Sequence, residues 1–506
     1  MSGMLVDALG IVFQPINVVV AVLGIMLGTI LGAIPGLTAT MGIALLLPIT
    51  YYMNPITAII LLTAMYKGGL FGGSITAILF SVPGTPAAAF TTIDGYQMTK
   101  KGQAGKALKV ALVASVTGDV FANIVLIFCA GILASWALAF GAPEYAALIV
   151  FSFAAIVALS RGNLAKDVLA MSLGVLCGMV GFDSVAAQPR FSFGSTHLSG
   201  GLEIVPVLIG LLAVSEIFLH IEKLAKKTEM PNTGAEVRFK RKDLSLSEIW
   251  GLKGVVLRSA AIGTWIGTLP GPGPGLAGFL GYQNARTMGK NHEKVGSGVP
   301  EGVAAPEAAN SAVGSANLIP LLSLGIPGDA EAAMILSVMV LHGITPGPLL
   351  FEQNGSVVYA IMFGILMAAL LSLAINWYMT KYIARVSKIS FQLVMPVVLI
   401  TAIAGSYGVN QSMFDVYVMV AFAILGYFMH KFGFSTIAML VGFILGPMLE
   451  NSLRTALIMS DGSFGVFVTR PLSLTFLCAA ALIVLWNIWA GFRDLRAGRV
   501  REVVSD

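Results

Sequence analysis

The chain has 506 residues, of which 57% are hydrophobic and only 11% charged, with a formal net charge of +5 and a mean hydropathy of +0.87. Soluble domains carry about a quarter charged residues, so this chain lacks the polar surface of a water-facing globule and reads as an all-α polytopic membrane protein. Its apolar runs are roughly 15–25 residues long without sustained alternation, which is helix rather than barrel grammar. The surplus Lys and Arg sit in short loops between those runs, the positive-inside pattern, and form no nucleic-acid-binding patch.

In chain order, Met1 to Gly10 carries Asp7 and no Lys or Arg, so the basic region of a signal peptide is missing and the first apolar stretch is expected to stay in the protein. That stretch runs into Gly28-Thr-Ile-Leu-Gly32-Ala-Ile-Pro35-Gly36, followed by Thr38 and Thr40. Proline removes an amide donor and glycine lets the backbone open, so a helix break is expected there, with a new half-helix beginning at the threonines. A helix N-terminus presents free N–H groups and positive potential, which suits an anion. Lys67 follows at mid-depth in the next apolar run. It is expected either to attract an anionic substrate or to pair with an acid. Gly72-Gly73-Ser74-Ile-Thr76 then leads through Ser81 to Pro83-Gly84-Thr85-Pro86 and is read as a short helix, an unwound tip and a second short helix.

Four apolar runs, about 107–133, 144–160, 168–182 and 202–220, separate this region from a hydrophilic stretch at 222–253 that reads as a cytoplasmic linker. The motif then recurs as Gly263-Thr-Trp-Ile-Gly267-Thr-Leu-Pro270-Gly271, identical at five of nine positions, and continues as Pro-Gly273-Pro-Gly275. A second broken stretch follows here too, from Asn310, Ser311, Ser315 and Asn317 to Ser323, Pro327, Gly328 and Asp329. Further runs at about 357–378, 391–405, 413–429, 436–450 and 472–491 lead to a basic tail.

Placing the basic loops (Lys100 to Lys109, Arg161 to Lys166, Lys223 to Lys253, Arg286 to Lys294, Lys381 to Lys388, His430-Lys431, Arg493 to Arg501) on the cytoplasmic side puts the N-terminus outside and the C-terminus inside. The two similar segments then enter the membrane from opposite faces. The expected architecture is about 12 membrane segments in two inverted-topology repeats with broken helices or re-entrant hairpins. Its divisions are 1–110 (first repeat), 111–221 (scaffold spans), 222–253 (linker), 254–350 (second repeat) and 351–506 (scaffold spans and tail).

Paired helix interruptions at matching positions point to a secondary transporter's substrate site. The expected substrate-binding set is Pro35, Gly36, Thr38, Lys67, Gly73, Ser74, Pro83, Gly84 and Thr85 from the first half, with Gly271, Gly273, Asn310, Ser315, Asn317, Pro327 and Gly328 from the second. Hydroxyls, carboxylates and bare carbonyls can ligate a hard cation, and Thr40, Ser81, Glu307, Ser323 and Asp329 are the candidates for sodium. Glu301, Glu307, Asp329 and Glu331 otherwise read as a solvated acidic loop or as partners of Lys67 or Arg258. Asp119, Asn123, Asn376, Asp415 and Glu450 read as helix–helix hydrogen-bonding groups.

Enzyme classes are disfavoured. No G-x-x-x-x-G-K-[ST] or H-E-x-x-H motif is present, the five histidines are scattered, and Cys129, Cys177 and Cys478 stand alone. No nucleophile–base pair stands out, and no organic cofactor is expected. The rival classes are an uncoupled anion channel or other permease, an intramembrane enzyme, and a structural membrane component.

The joint set Gly32-Ala-Ile-Pro-Gly-Leu-Thr38, Ala44-Leu-Leu-Leu-Pro48, Gly72-Gly-Ser-Ile-Thr-Ala-Ile-Leu79, Pro83-Gly-Thr-Pro86, Asp94-Gly-Tyr96, Lys101-Gly-Gln-Ala-Gly105, Gly302-Val-Ala-Ala-Pro-Glu-Ala-Ala-Asn310, Leu324-Gly-Ile-Pro-Gly328, Gly343-Ile-Thr-Pro-Gly-Pro348 and Gly446-Pro-Met-Leu-Glu450 resembles the large membrane subunit of tripartite tricarboxylate transporters over about residues 15–465. The resemblance implies uptake of a small carboxylate across a bacterial inner membrane, driven by a cation gradient, commonly sodium. It also implies two partners, a small membrane subunit and a periplasmic solute-binding protein, and is compatible with a homo-oligomer. Asp329 and Glu331 stand where citrate-type members commonly have small or hydroxyl residues, which points away from citrate and toward a smaller or less charged acid.

Overall fold

The computed structural model describes residues 2–34, 37–138, 140–159, 164–183, 188–225, 244–271, 273–386 and 391–496. Pro35, Gly36, most of the linker (226–243) and the end of the basic tail (497–506) lie outside these. The described residues are helical apart from turns and one small antiparallel pairing of Gly181–Phe182 with Pro189–Arg190. Seven helices are long and apolar enough to cross a membrane, and five shorter apolar helices accompany them among the described residues. The all-α polytopic architecture read from composition is therefore met.

The chain divides into two compact units, Met1–Ala134 with Glu216–Val409, and Ser135–Ser215 with Asn410–Asp506. In the second unit, the helices Leu164–Gly178 and Thr436–Met459 cross at glycine. A Cβ on Gly174 would lie 1.9 Å from the Met439 carbonyl oxygen, and one on Gly442 would lie 2.2 Å from that of Met171. Small residues are the usual means of bringing membrane helices this close. Arg190 meets Glu450 through two hydrogen bonds of 2.8 and 2.9 Å, and Arg454 meets the buried Asp183 at 2.8 Å. These ion pairs pin Asp183 and Arg190 to the 436–459 helix, and the Glu450 hydrogen bond pushes the Arg190 guanidinium pKa further up.

The first unit repeats one order of elements. In the first half, Pro15–Gly32 is followed by a break, then Ala39–Thr50, then Pro55–Phe80, a break at residues 81–85, and Ala89–Lys100. In the second half, Leu246–Gly267 is followed by a break, then Gly273–Met288, then Pro300–Ala316 continuing as Leu318–Leu324, a break at residues 325–329, and Ala330–Leu341. Proline at the first helical position starts the Pro15, Pro55 and Pro300 helices, where its missing N–H costs nothing. Asn54, Ser245 and Asp329 cap their helices by accepting backbone N–H bonds. The 55–80 helix stops at Ser81 in the left-handed region (φ 60°), because Pro83 lies just beyond.

The broken stretch expected from Gly73-Ser74 to Pro83-Gly84 is narrower than that: the break falls at residues 81–85, and Gly72, Gly73 and Ser74 lie inside the unbroken helix Pro55–Phe80. Their smallness serves packing instead. A Cβ on Gly28 would lie 2.2 Å from Met65 O and one on Gly32 would lie 2.4 Å from Gly69 O. Reciprocally, Gly68 and Gly72 face Ile25 O and Thr29 O at 2.4 and 2.5 Å. The second half does the same: a Cβ on Gly263 would lie 2.0 Å from Ala309 O and one on Gly267 would lie 2.6 Å from Ala316 Cβ. In the nine-residue repeat, a Gly-x-x-x-Gly lets two backbones touch, and the helix ends at its second glycine, Gly32 or Gly267.

Candidate functional site

In the first half the chain turns back on itself after Ser81. The Gly84 N–H donates to Gly73 O at 3.2 Å. A Cβ on Gly84 would meet Gly32 O at 2.6 Å and Gly73 Cα at 2.7 Å, and one on Gly73 would meet Thr85 Oγ1 at 2.9 Å. Glycine at both positions therefore lets this tip lie flat against the ends of two helices. Ser81 and Pro83 are exposed, whereas Gly84 and Thr85 are buried. Thr85 is 6% exposed, and its hydroxyl oxygen has no protein hydrogen-bond partner.

The second tip, Gly325 to Asp329, follows the same plan. Gly73 and Asn317, like Gly84 and Gly328, are 244 residues apart (317 less 73, 328 less 84). A Cβ on Gly328 would meet Asn317 Cβ at 2.8 Å and Gly267 O at 3.3 Å. Gly271, held at φ 105°, donates its N–H to Gly328 O at 2.9 Å, so the two breaks of this half are tied together. Pro327 is buried in the tip. Asp329 accepts from Ala332 N at 2.8 Å, Tyr66 Oη at 2.7 Å and Asn317 Nδ2 at 2.6 Å. The amide oxygen of Asn317, a residue 1% exposed, has no protein partner.

Each tip rests on the other half of the unit. Asn310 Nδ2 donates to Ala87 O at 3.4 Å, and Ala87 O lies 3.0 Å from where a Cβ on Gly278 would be. In the mirror arrangement, Tyr66 reaches Asp329, and Thr40 Oγ1 donates to Glu331 at 2.5 Å. Thr38 caps the 39–50 helix, accepting from Met41 N at 3.1 Å, and donates to Glu216 at 3.1 Å. Asp329, Glu331 and Glu216 are close enough for their charges to interact, so the second tip is acidic and lined with hydroxyls.

Two further polar clusters lie between the halves. Lys67 binds both carboxylate oxygens of Asp119, Oδ2 at 2.5 Å, and Ser315 Oγ at 3.0 Å; Ser315 in turn donates to Asp119 at 2.6 Å. Glu307 is fully buried and accepts from Ser74 at 2.7 Å, Thr91 at 2.5 Å and Ser115 at 2.9 Å. A small cavity of about 20 Å³, bounded by Lys67, Ser115, Asp119, Ser311 and Ser372, separates the two clusters and has room for about one water-sized occupant.

The predicted residues therefore divide. Gly73, Gly84 and Thr85 meet at one tip, and Asn317, Pro327, Gly328, Asp329 and Gly271 at the other. Thr38 and Thr40 join the second tip from the 39–50 helix. Lys67 and Ser315 sit together on Asp119, and Ser74 sits on Glu307. Gly273 opens the 273–288 helix at φ 60° with nothing near the Cβ position. Ser323 bonds back to Ile319 O at 2.5 Å. Arg258 serves Asn284 and the Met288 carbonyl and pairs with none of the four acids by any hydrogen bond shown. Tyr66, Thr91, Ser115 and Glu216 were missed. Each is an ordinary polar residue in an apolar run or at its end, and only the packing of distant helices gives it a partner.

Paired breaks at residues 81–85 and 325–329, each with a buried and unpartnered polar atom in it or beside it, define a polytopic membrane protein built around two polypeptide tips. The model of the tripartite tricarboxylate transporter TctA family matches residues 18–441, and the chain belongs to that family. It is 37% identical over 485 residues, 95% of each chain, to a protein of Agrobacterium vitis described as an uncharacterized 52.8 kDa protein in the TAR-I ttuC′ 3′ region. A second A. vitis protein, from the TAR-II ttuC′ 3′ region, is 36% identical over 234 residues, 46% of this chain and 97% of its own length. No solved structure matches.

Proposed function

We propose that the chain is the large transmembrane subunit of a binding-protein-dependent uptake system for a small carboxylate, working as a cation-coupled secondary transporter. Family membership supports transport. The observation that supports the site is the orphaned pair, Thr85 Oγ1 on the first tip and Asn317 Oδ1 packed against the second. Buried polar atoms are almost always satisfied, and a ligand is a ready partner for those that are not. Substrate oxygens are taken by the Thr85 hydroxyl and by N–H groups at the start of the helix that follows the first tip. Asn317 Oδ1 can only accept, so it meets a hydroxyl of the cargo or the coupling ion. A hydroxy acid supplies both kinds of group.

The coupling ion is sodium, and its best-placed ligands are Thr40, Asp329 and Glu331 at the acidic second tip. Lys67 is neutralised by Asp119 and holds helices together instead of greeting substrate. The system operates in a bacterial inner membrane with a small membrane subunit and a periplasmic binding protein.

The test is uptake by the complete system in proteoliposomes, with the acid identified beforehand by thermal stabilisation of the binding protein. Thr85→Val and Asn317→Leu are expected to raise KM for that acid at least tenfold while the protein still inserts. Unchanged uptake in both would refute the site, and equal uptake without a sodium gradient would favour an uncoupled channel.

A further inference from the structure

A basic, aromatic pocket on the first unit lies apart from the tips. Its walls are the helices Ala104–Ala137 and Gly355–Val386. The pocket has a volume of about 170 Å³ and is bounded by Lys109, Trp377, Tyr378 and Lys381 over a floor of Leu108 and Leu112. Lys109 Nζ sits 5.4 Å from the Trp377 ring centroid and Lys381 Nζ 4.7 Å from that of Tyr382. Trp377, Tyr378 and Tyr382 are 41, 71 and 55% exposed.

We infer that this pocket binds the headgroup of an anionic phospholipid, with an acyl chain lying along the apolar floor. Three features carry the assignment. The helices that form it cross the membrane, so its apolar wall is reached from lipid. Two cationic side chains from different helices line one pocket, and a phosphate is the negative group that a bilayer supplies there. The exposed rings are amphipathic and suit the headgroup level.

The pocket also touches the machinery. Leu112 lines both the pocket and the small polar cavity beside Lys67 and Asp119. Asn376, next to Trp377, accepts at 3.0 Å from Thr29, one helical turn before Gly32 under the first tip. A lipid seated here braces the 104–137 helix against the 355–386 helix, which the Thr29–Asn376 hydrogen bond joins to the helix that ends under that tip.

The experiment is lipid titration of the full-length protein in detergent, read by native mass spectrometry, and it requires no transport. Phosphatidylglycerol is compared with phosphatidylcholine and with inorganic phosphate. Phosphatidylglycerol is expected to remain bound where phosphatidylcholine does not. The double substitution Lys109→Gln/Lys381→Gln is expected to weaken it about thirtyfold, the surface contribution of two lysines. Lys294→Gln, which removes one charge elsewhere and so matches the single Lys381→Gln change, is expected to stay within about twofold. The single Lys381→Gln change, on an exposed side chain, gives a folded variant that should lose about fivefold on the same reckoning. Wild-type binding by the lysine variants, or equal retention of phosphatidylcholine, overturns the inference. Displacement by inorganic phosphate at equal concentration overturns the lipid as the occupant.

Discussion

Lys67 and Asp119 offer the most quantitative test of how this membrane interior is held together. Both are almost fully buried, at 7 and 5% exposure. Lys67→Met would leave the Asp119 carboxylate with Ser315 as its one remaining side-chain donor among the contacts shown. Breaking one partner of a buried pair costs about 3–5 kcal/mol, because the surviving charge stays desolvated. At about 1.4 kcal/mol per tenfold, that is a loss of roughly 10²–10³ or more in the folding equilibrium. Asp119→Leu strands Lys67 in the same way. The double variant Lys67→Met/Asp119→Leu removes both charges and should recover most of the loss, leaving a coupling of several kcal/mol. Reversible unfolding in mixed micelles of a mild detergent and sodium dodecyl sulfate gives all four corners of the cycle. Additive single effects would refute the pairing. The same variants decide whether Lys67 meets substrate: recovery of uptake in the double variant assigns it to structure, and persistent loss with full stability assigns it to binding.

The packing glycines should tolerate nothing larger. Gly28→Leu and Gly263→Leu aim side chains at backbone oxygens 2.2 and 2.0 Å from the Cβ position, and should abolish accumulation of folded protein on size-exclusion chromatography. Gly273→Ala meets no atom and should cost only about 1–2 kcal/mol, the strain of φ 60°. Asp94 accepts from the N–H groups of Gly296, Gly298 and Val299 and from Tyr282 Oη, at the start of the 300–316 helix. Asp94→Asn should cost about 1–3 kcal/mol and speed amide exchange at residues 296–299, since the amide cannot replace a carboxylate facing several donors. Thr40→Val and Glu331→Gln should raise the sodium concentration for half-maximal uptake with little change in saturating rate, and an unaltered sodium dependence would remove the second tip as the cation site.

The gross architecture was legible because membrane helices announce themselves by length and hydropathy. The run read at 107–133 became the helix 104–137, and that at 357–378 became 355–386. The duplication was also legible, since Gly-x-x-x-Gly and Pro-Gly recur with the same spacing. What those glycines do was not. A glycine that breaks a helix and one that lets a neighbour's carbonyl approach look alike in sequence, so the stretch expected to be broken begins at Gly73-Ser74, although both residues lie within an unbroken helix that ends only at Phe80. Proline followed by glycine was the better guide: Pro83 and Pro327 both lie in true breaks, whereas Pro48, Pro306 and Pro447 lie inside helices. The partners of buried charges were hidden for another reason. Asp119 is 52 residues from Lys67, and Ser115 is 192 from Glu307. Nothing local marks either pair.

The central claim is that the two tips hold the transported acid. It is tested most directly by Thr85→Cys in a chain whose Cys129, Cys177 and Cys478 have been replaced, reconstituted with its partners and treated with a membrane-permeant thiol reagent. The account predicts that the acid captured by the binding protein, added with sodium, slows modification of that thiol at least several-fold, with half-protection near the KM for uptake. Modification at the same rate with and without the acid, in protein that still transports it, would contradict the claim.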